Sequence, residues 1–288
     1  MILSKGETSM LDPKNFTSSL SHSISKGGVI LIAGPCSMES ESLVEDVCGE
    51  LSQISKDLDV DLVFKSSFDK ANRSSRNSYR SLGIERGMEL LAHLRNSYDI
   101  PVSTDIHETW QVPIVAEVAD ILQIPAFLCR QSDLLVAAGQ TEKVVNIKKG
   151  QFLSPEEMPH AIAKVRVSEN QIIISTERGS SFGYNNLVVD FRSLPIMRNY
   201  GPVFFDVTHS TQRPGALNGS SGGDRKWAPY LARAAAAVGV DGYFIETHPD
   251  PDKALSDGPL MIRLSRMKEL VEQIKEIHEL RASFTEIL

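Results

Sequence analysis

The segment Phe64-Lys65-Ser66-Ser67-Phe68-Asp69-Lys70-Ala71-Asn72-Arg73-Ser74-Ser75 packs two lysines, an arginine, an asparagine and several hydroxyls into a dozen residues. It follows an apolar run, Val60 to Phe64, that reads as a buried strand. Such a polar stretch cannot itself be core, because its donors and acceptors would go unpaired. Ammonium and guanidinium groups, short hydroxyl donors and free backbone N–H groups together make an anion site, phosphate above all. A solvated loop carrying a few cations is the plain alternative, and charge runs are usually that. Its position at the end of a buried strand favours the anion site.

Other apolar runs end in the same way. They lead to Gly34-Pro35-Cys36, to Asp105, His107 and Glu108, to Gln123 and Arg130, and to Lys148. Further along come Glu177-Arg178-Gly179, Asp206 and His209, and Glu246, His248 and Asp257. One subset is cationic: Lys65, Lys70, Arg73, Lys148, Arg178 and Arg130. Any one of these is as well explained as a surface cation, but the set exceeds what one phosphate needs. It fits two anionic groups, or a phosphate and a carboxylate. The second subset is Cys36, His209, Glu246 and Asp257: one soft sulfur, one imidazole and two carboxylates. That mixture suits zinc, iron or manganese and does not choose among them. Taken singly, Cys36 reads as a small buried residue and His209 as a satisfied loop histidine. Asp105 and His107 could act as acid–base groups or orient a hydroxyl. Cys48, Cys129, Trp110 and Trp227 read as packing.

These residues need a frame that brings distant strand ends together. Short Val- and Ile-rich runs recur at Val29–Ala33, Val60–Phe64, Pro101–Thr104, Ile121–Ile124, Val144–Ile147, Ile172–Ser175, Pro202–Phe205 and Gly242–Ile245. Each has the look of a strand buried on both faces, as in parallel sheet. Helical periodicity marks Ser40–Leu58, Leu82–Tyr98, Asp224–Val238 and Leu264–Leu280, and more weakly Pro155–Val165. About eight strand–helix alternations predict a single-domain (β/α)8 TIM barrel over residues 28–288, whose chemistry sits at the C-terminal strand ends. Residues 1–27 are polar and Ser-rich and form an extension or a cap. A doubly wound open sheet is the runner-up, weakened because no G-x-G-x-x-G follows the first strand.

Composition limits the partners. The chain has 288 residues, 41% hydrophobic and 23% charged, with a net charge of −7. An acidic protein of this kind does not suit nucleic acid or an anionic membrane, so its local basic clusters point to small anions. Three widely spaced cysteines suggest no disulfide framework. No signal-peptide pattern is seen, and no apolar run approaches the roughly 20 residues of a membrane span. The expectation is a soluble, cytoplasmic protein.

From about residue 28 to the C-terminal helix the chain resembles the 3-deoxy-D-manno-octulosonate 8-phosphate (KDO8P) synthases. The motifs, in order, are Ala33-Gly34-Pro35-Cys36, the Phe64–Ser75 segment, Ser103-Thr104-Asp105-Ile106-His107-Glu108 and Gln123-Ile124-Pro125-Ala126-Phe127. Asn146-Ile147-Lys148-Lys149-Gly150-Gln151-Phe152, Thr176-Glu177-Arg178-Gly179 and Phe205-Asp206-Val207-Thr208-His209-Ser210 follow. Glu246-Thr247-His248-Pro249 and Ser256-Asp257-Gly258-Pro259 complete the set. So many motifs in one order are far more specific than a lone fingerprint.

The resemblance implies a transferase that condenses phosphoenolpyruvate with D-arabinose 5-phosphate and water, serving lipopolysaccharide synthesis, and usually a homotetramer. By similarity, Lys70, Lys148 and Arg178 hold phosphoenolpyruvate. Asn72, Arg73 and Ser74 take the sugar phosphate, with Arg130 reaching across a subunit interface. Lys65 and Asp105 border the aldehyde and hydroxyl chain, and Gln123 joins the substrate-binding set. Cys36, His209, Glu246 and Asp257 are the implied metal ligands, and Lys70, Asp105, His209 and Cys36 the implied catalytic groups. The metal-free branch has asparagine where this chain has Cys36, so the metal-dependent branch is implied. The N-terminal segment and the loop from Thr211 to Lys226 match less well. Three rivals stand against this reading. A 3-deoxyheptulosonate phosphate (DAHP) synthase would use erythrose 4-phosphate, but its typical Pro-Arg-Thr run is replaced here by Ala71-Asn72-Arg73-Ser74. A non-catalytic phosphate-binding barrel would be expected to lack a ligand or a cation. A Schiff-base aldolase would use Lys148 as its nucleophile.

Overall fold

The computed structural model describes residues 11–71, 79–167, 171–217 and 220–284. Eight strands form the frame: β1 Ile30–Gly34, β2 Asp61–Lys65, β3 Val102–Asp105, β4 Ile121–Ile124, β5 Val144–Lys148, β6 Ile173–Glu177, β7 Val203–Asp206 and β8 Gly242–His248. All pair in parallel and in sequence order, and β1 closes on β8 with Leu31 opposite Tyr243 and Gly34 opposite Glu246. The result is the expected (β/α)8 barrel. Except in β4, the strands run one to three residues past the apolar runs that predict them. The reading from hydrophobicity stops where side chains turn polar, but the ladder carries Lys65, Asp105, Lys148, Glu177, Asp206 and Glu246 into the barrel mouth.

Around the barrel lie α1 Phe16–Lys26, α2 Glu41–Leu58, α3 Ile84–Tyr98, α4 Gln111–Val118, α5 Ser132–Gly139, α6 Met158–Val165, α7 Ser193–Arg198, α8 Ala228–Val238 and α9 Met267–Ala282. The Ser40 hydroxyl caps α2 by accepting from the Leu43 N–H. The stretches predicted as helix from Pro155, Asp224 and Leu264 each begin instead with a tight 3-10 turn, at Pro155–Glu157, Arg225–Trp227 and Leu264–Arg266. Helices α4, α5 and α7 escape the periodicity reading because six to eight residues hold too few turns to show a stripe. Trp110 and Trp227 are not packed as expected: they are 57% and 50% exposed. Both stand at helix entries, where ring size says nothing about which way the side chain turns. The Thr211 to Lys226 region contains an antiparallel ribbon, Gln212–Leu217 against Ser220–Gly223.

Strand side chains alternate between the two faces of the sheet. Ile30, Ile32, Val63, Ile121, Val144, Ile174, Phe204 and Phe244 fill the barrel interior, and Leu11, Phe16 and Leu20 from the N-terminal segment pack into the same cluster. Helix α1 thus plugs the end of the barrel opposite the mouth. Truncating the fully buried Leu20 to alanine would cost about 2–5 kcal/mol. Two residues further along each strand, on the same inner face, stand Lys65, Gln123, Asn146, Thr176, Asp206 and Glu246, with Lys148 two beyond Asn146. The lower interior is apolar and the upper interior is charged.

Candidate active site

One group of mouth residues centres on Asp105, the last residue of β3. Its Oδ2 accepts from the Ser67 hydroxyl at 2.5 Å and lies 3.8 Å from Lys65 Nζ and 3.7 Å from Lys70 Nζ. Its Oδ1 accepts from Gln123 Nε2. Burial alone would disfavour the carboxylate, but Lys65 and Lys70 outweigh it and hold Asp105 ionised well below the usual range. Behind Gln123 the donors continue around the wall. Thr176 Oγ1 donates to Asn146 Oδ1 at 2.6 Å, and Asn146 Nδ2 donates to Gln123 Oε1 at 3.1 Å. This chain crosses from β6 to β3 with every donor directed toward Asp105. Sequence reading did not single out Ser67, Asn146 or Thr176 as site residues. Their inward position, two residues from an interior apolar residue or just past a strand, is the signal that could have found Asn146 and Thr176.

A second group joins β5, β6 and β7. Lys148 Nζ donates to Asp206 Oδ2 at 2.7 Å and stands 3.0 Å from the centre of the Phe244 ring. Burial pushes the Lys148 ammonium down to about 8, with Asp206 pulling the other way. Asp206 also meets His209, whose Nδ1 is 2.9 Å from Oδ2 and whose backbone N–H donates to Oδ1 at 2.8 Å. Burial opposes the Asp206 charge, but His209 and Lys148 hold it ionised well below the usual range. In a neutral ring, donation of Nδ1–H to Asp206 leaves Nε2 as the lone-pair nitrogen of His209. Arg178 reaches from beyond β6, with Nη2 donating to Gln212 Oε1 at 2.7 Å and Nη1 buried without a hydrogen-bond partner. Burial lowers its pKa, yet a guanidinium stays charged throughout the physiological range.

The soft-and-hard set also converges. One ligand atom each from Cys36, Glu246 and Asp257 lies within 4.8 Å of the others. Cys36 Sγ is 3.2 Å from Asp257 Oδ2, and His209 Nε2 is 3.7 Å from Glu246 Oε2 and 3.9 Å from Asp257 Oδ2. Glu246 Oε2 is buried and has no hydrogen-bond partner, an expensive arrangement unless a cation satisfies it. The donors present therefore fit a divalent transition metal. Asp206 behind His209 stands where an outer carboxylate would orient a ligating imidazole.

Residues 15–283 match the DAHP synthetase I family. Proteins named 2-dehydro-3-deoxyphosphooctonate aldolase are similar over most of the chain. That of Granulibacter bethesdensis is 56% identical over 86% of this chain and 88% of its own length. That of Cupriavidus taiwanensis is 54% identical over 89% and 92%, and that of Helicobacter hepaticus 51% identical over 88% and 97%. The chain belongs to the DAHP synthetase I family, in its 2-dehydro-3-deoxyphosphooctonate aldolase group. This is the KDO8P synthase group under another name, the one the ordered motifs point to. Of the aldolase-type site read from the sequence, the barrel mouth gathers Cys36, Lys65, Lys70, Asp105, Gln123, Lys148, Arg178, His209, Glu246 and Asp257. Arg130 stands apart: it is exposed and lines a cleft with Cys129, Leu153, Glu157, His160 and Lys164. Asn72, Arg73 and Ser74 lie outside the described residues.

Proposed function

We propose that this chain condenses phosphoenolpyruvate with D-arabinose 5-phosphate and water to give 3-deoxy-D-manno-octulosonate 8-phosphate and phosphate. The carrying observation is the convergence of four cations, Lys65, Lys70, Lys148 and Arg178, on one barrel mouth in a chain whose relatives carry the octonate name. Two polyanionic substrates need such a set, because their charges must be neutralised before they can approach. In this reading Lys148, Arg178 and Lys70 take the phosphate and carboxylate of phosphoenolpyruvate. Asn72, Arg73 and Ser74 take the sugar phosphate, with Arg130 contributed across a subunit interface of a homotetramer. The protein is cytoplasmic.

Carbon three of the enol bonds to the aldehyde carbon, and water adds to carbon two. The resulting hemiketal phosphate then loses phosphate by C–O cleavage. Lys65 and Asp105 border the aldehyde, and the Asp105 carboxylate holds Lys65 and Lys70 in place while accepting substrate hydroxyls. Gln123 is locked by Asn146 and so presents its amide in one sense only. A zinc, iron or manganese ion held by Cys36, His209, Glu246 and Asp257 would supply Lewis-acid polarisation of a substrate oxygen or of water.

One assay tests the reading. Phosphate release from phosphoenolpyruvate is followed with arabinose 5-phosphate or with erythrose 4-phosphate. Turnover with the five-carbon sugar is expected, and turnover with the four-carbon sugar alone rejects the assignment in favour of the heptulosonate branch. In oxygen-18 water the released phosphate should carry no label; labelled phosphate would exclude C–O cleavage.

A further inference from the structure

Lys149 is a fully buried lysine for which the reaction gives no use. Its side chain is 0% exposed, and its ammonium donates to Leu153 O at 3.1 Å, Ser180 Oγ at 3.0 Å and Gly150 O at 3.4 Å. It also lies 3.7 Å from Glu177 Oε2, on a side chain 1% exposed. Glu177 in turn accepts from the backbone N–H groups of Arg178 and Gly179 at 3.0 and 2.6 Å and from Ser193 Oγ at 2.7 Å. Backbone bonds join the same two strand ends: Lys149 N to Thr176 O and Ser181 N to Gln151 O, both 2.9 Å.

The position of this pair in the chain is what gives it meaning. Lys149 follows Lys148, and Glu177 precedes Arg178. Because strand side chains alternate, the buried pair lies on the outer face of the barrel while the two cations face inward. Burying two charges carries a desolvation cost that a well-packed apolar pair would avoid. Pinning the ends of β5 and β6 to each other, and so fixing the spacing of Lys148 and Arg178, is a return for that cost. We propose that Lys149 and Glu177 are positioning residues that set the separation of the two cations serving phosphoenolpyruvate. The inference rests on the assignment of Lys148 and Arg178 to that substrate.

The test measures binding of each substrate separately, by calorimetry, to the full-length protein and to folded variants. Lys149→Met should weaken phosphoenolpyruvate at least about tenfold while changing arabinose 5-phosphate less than about threefold, since a shift of about 1 Å in a binding group is enough for such a loss. Glu177→Gln keeps the Oε1 that accepts the backbone N–H groups but turns Oε2, which accepts from Ser193 and faces Lys149, into an amide donor, so it should weaken phosphoenolpyruvate with the same selectivity. If Lys149→Met does not fold, Ser180→Ala removes one of its acceptors and should show the same selective weakening. Folded Lys149→Met or Ser180→Ala protein that binds phosphoenolpyruvate normally, or weakens both substrates equally, overturns the inference. Lys148→Ala separates the two assumptions. Loss of phosphoenolpyruvate binding there, with none in Lys149→Met, removes the inference alone. Unchanged binding in Lys148→Ala removes the site assignment and the inference with it.

Discussion

Asp206 bonds Lys148 and His209 with the same carboxylate oxygen, at 2.7 and 2.9 Å. One buried aspartate therefore links a cation of the proposed phosphoenolpyruvate site to an imidazole of the proposed metal site. The two functional subsets also meet directly where Lys65 Nζ donates to Glu246 Oε1 at 3.3 Å.

Burial of Lys148, which Asp206 opposes, sets a pH dependence. Lys148 falls from an ordinary 10.5 to about 8, chiefly through burial. The folded state then gives up this proton before the unfolded state does. Between pH 8 and 10.5 the unfolded chain holds more protons, so this group's contribution to stability rises with pH and is lost as pH falls through 8. Substrate affinity runs the opposite way, because the anion needs the ammonium. Phosphoenolpyruvate binding by calorimetry should weaken as pH rises through about 8 in the free protein. Asp206→Asn removes the group that supports the charge and should move this decline to lower pH. Affinity that stays flat up to pH 10.5 would show that Lys148 either keeps its proton through this range or does not bind this substrate.

Metal content offers a check that is independent of turnover. Replacing an outer partner of a metal ligand costs about 10–100-fold in affinity or activity, and removing a ligand should cost at least as much. Cys36→Ala should therefore bind substoichiometric metal, read by elemental analysis, and lose more than about tenfold in rate. Chelation of the wild type should abolish phosphate release, and added divalent metal should restore it. Full activity after rigorous chelation would reject the ligand set.

The donor chain behind Asp105 predicts a loss from an uncharged side chain that does not itself touch Asp105. Thr176→Val keeps the shape of the side chain but leaves buried Asn146 Oδ1 without its donor, at a cost of about 1–3 kcal/mol. Asn146 and Gln123 then lose their enforced orientation, so the turnover rate should fall along with the urea unfolding midpoint. A variant as stable and as fast as the wild type would show that the chain positions nothing.

His278 supplies a second, purely structural pH effect. Its Nδ1 faces the Tyr243 hydroxyl at 3.2 Å and its Nε2 the Gly27 carbonyl at 3.1 Å, which tie α9 to β8 and to the end of α1. A neutral ring satisfies both partners, accepting from the hydroxyl and donating to the carbonyl. Burial lowers its pKa below the ordinary 6.5. Below 6.5 the unfolded state takes up a proton that the folded state resists, so stability falls as pH drops through that region. His278→Gln should flatten the dependence of the urea midpoint on pH in this range, and an unchanged slope would assign it to other groups.

Much of this was legible in the chain itself. Eight apolar runs and the helices between them declare the barrel, because burial on both faces and helical stripes are local patterns. The polar residue closing each run marks the mouth, since only a strand end can hold such groups near solvent and substrate. Ordered motifs place Cys36, Lys148, Arg178 and His209 among the candidates. The partnerships were not legible. Cys36 and Asp257 are 221 positions apart, and Lys65 and Glu246 are 181 apart, yet each pair meets across the mouth. Nothing in the local pattern distinguishes the connecting Asp206 from a lone loop carboxylate, or the buried Lys149 from its active-site neighbour Lys148. Sequence determined which residues stand at the strand ends. Closure of the barrel decided which of them face inward, which share a carboxylate and which brace the wall from outside, because those relations depend on strand register and on contacts that exist only once β1 has met β8.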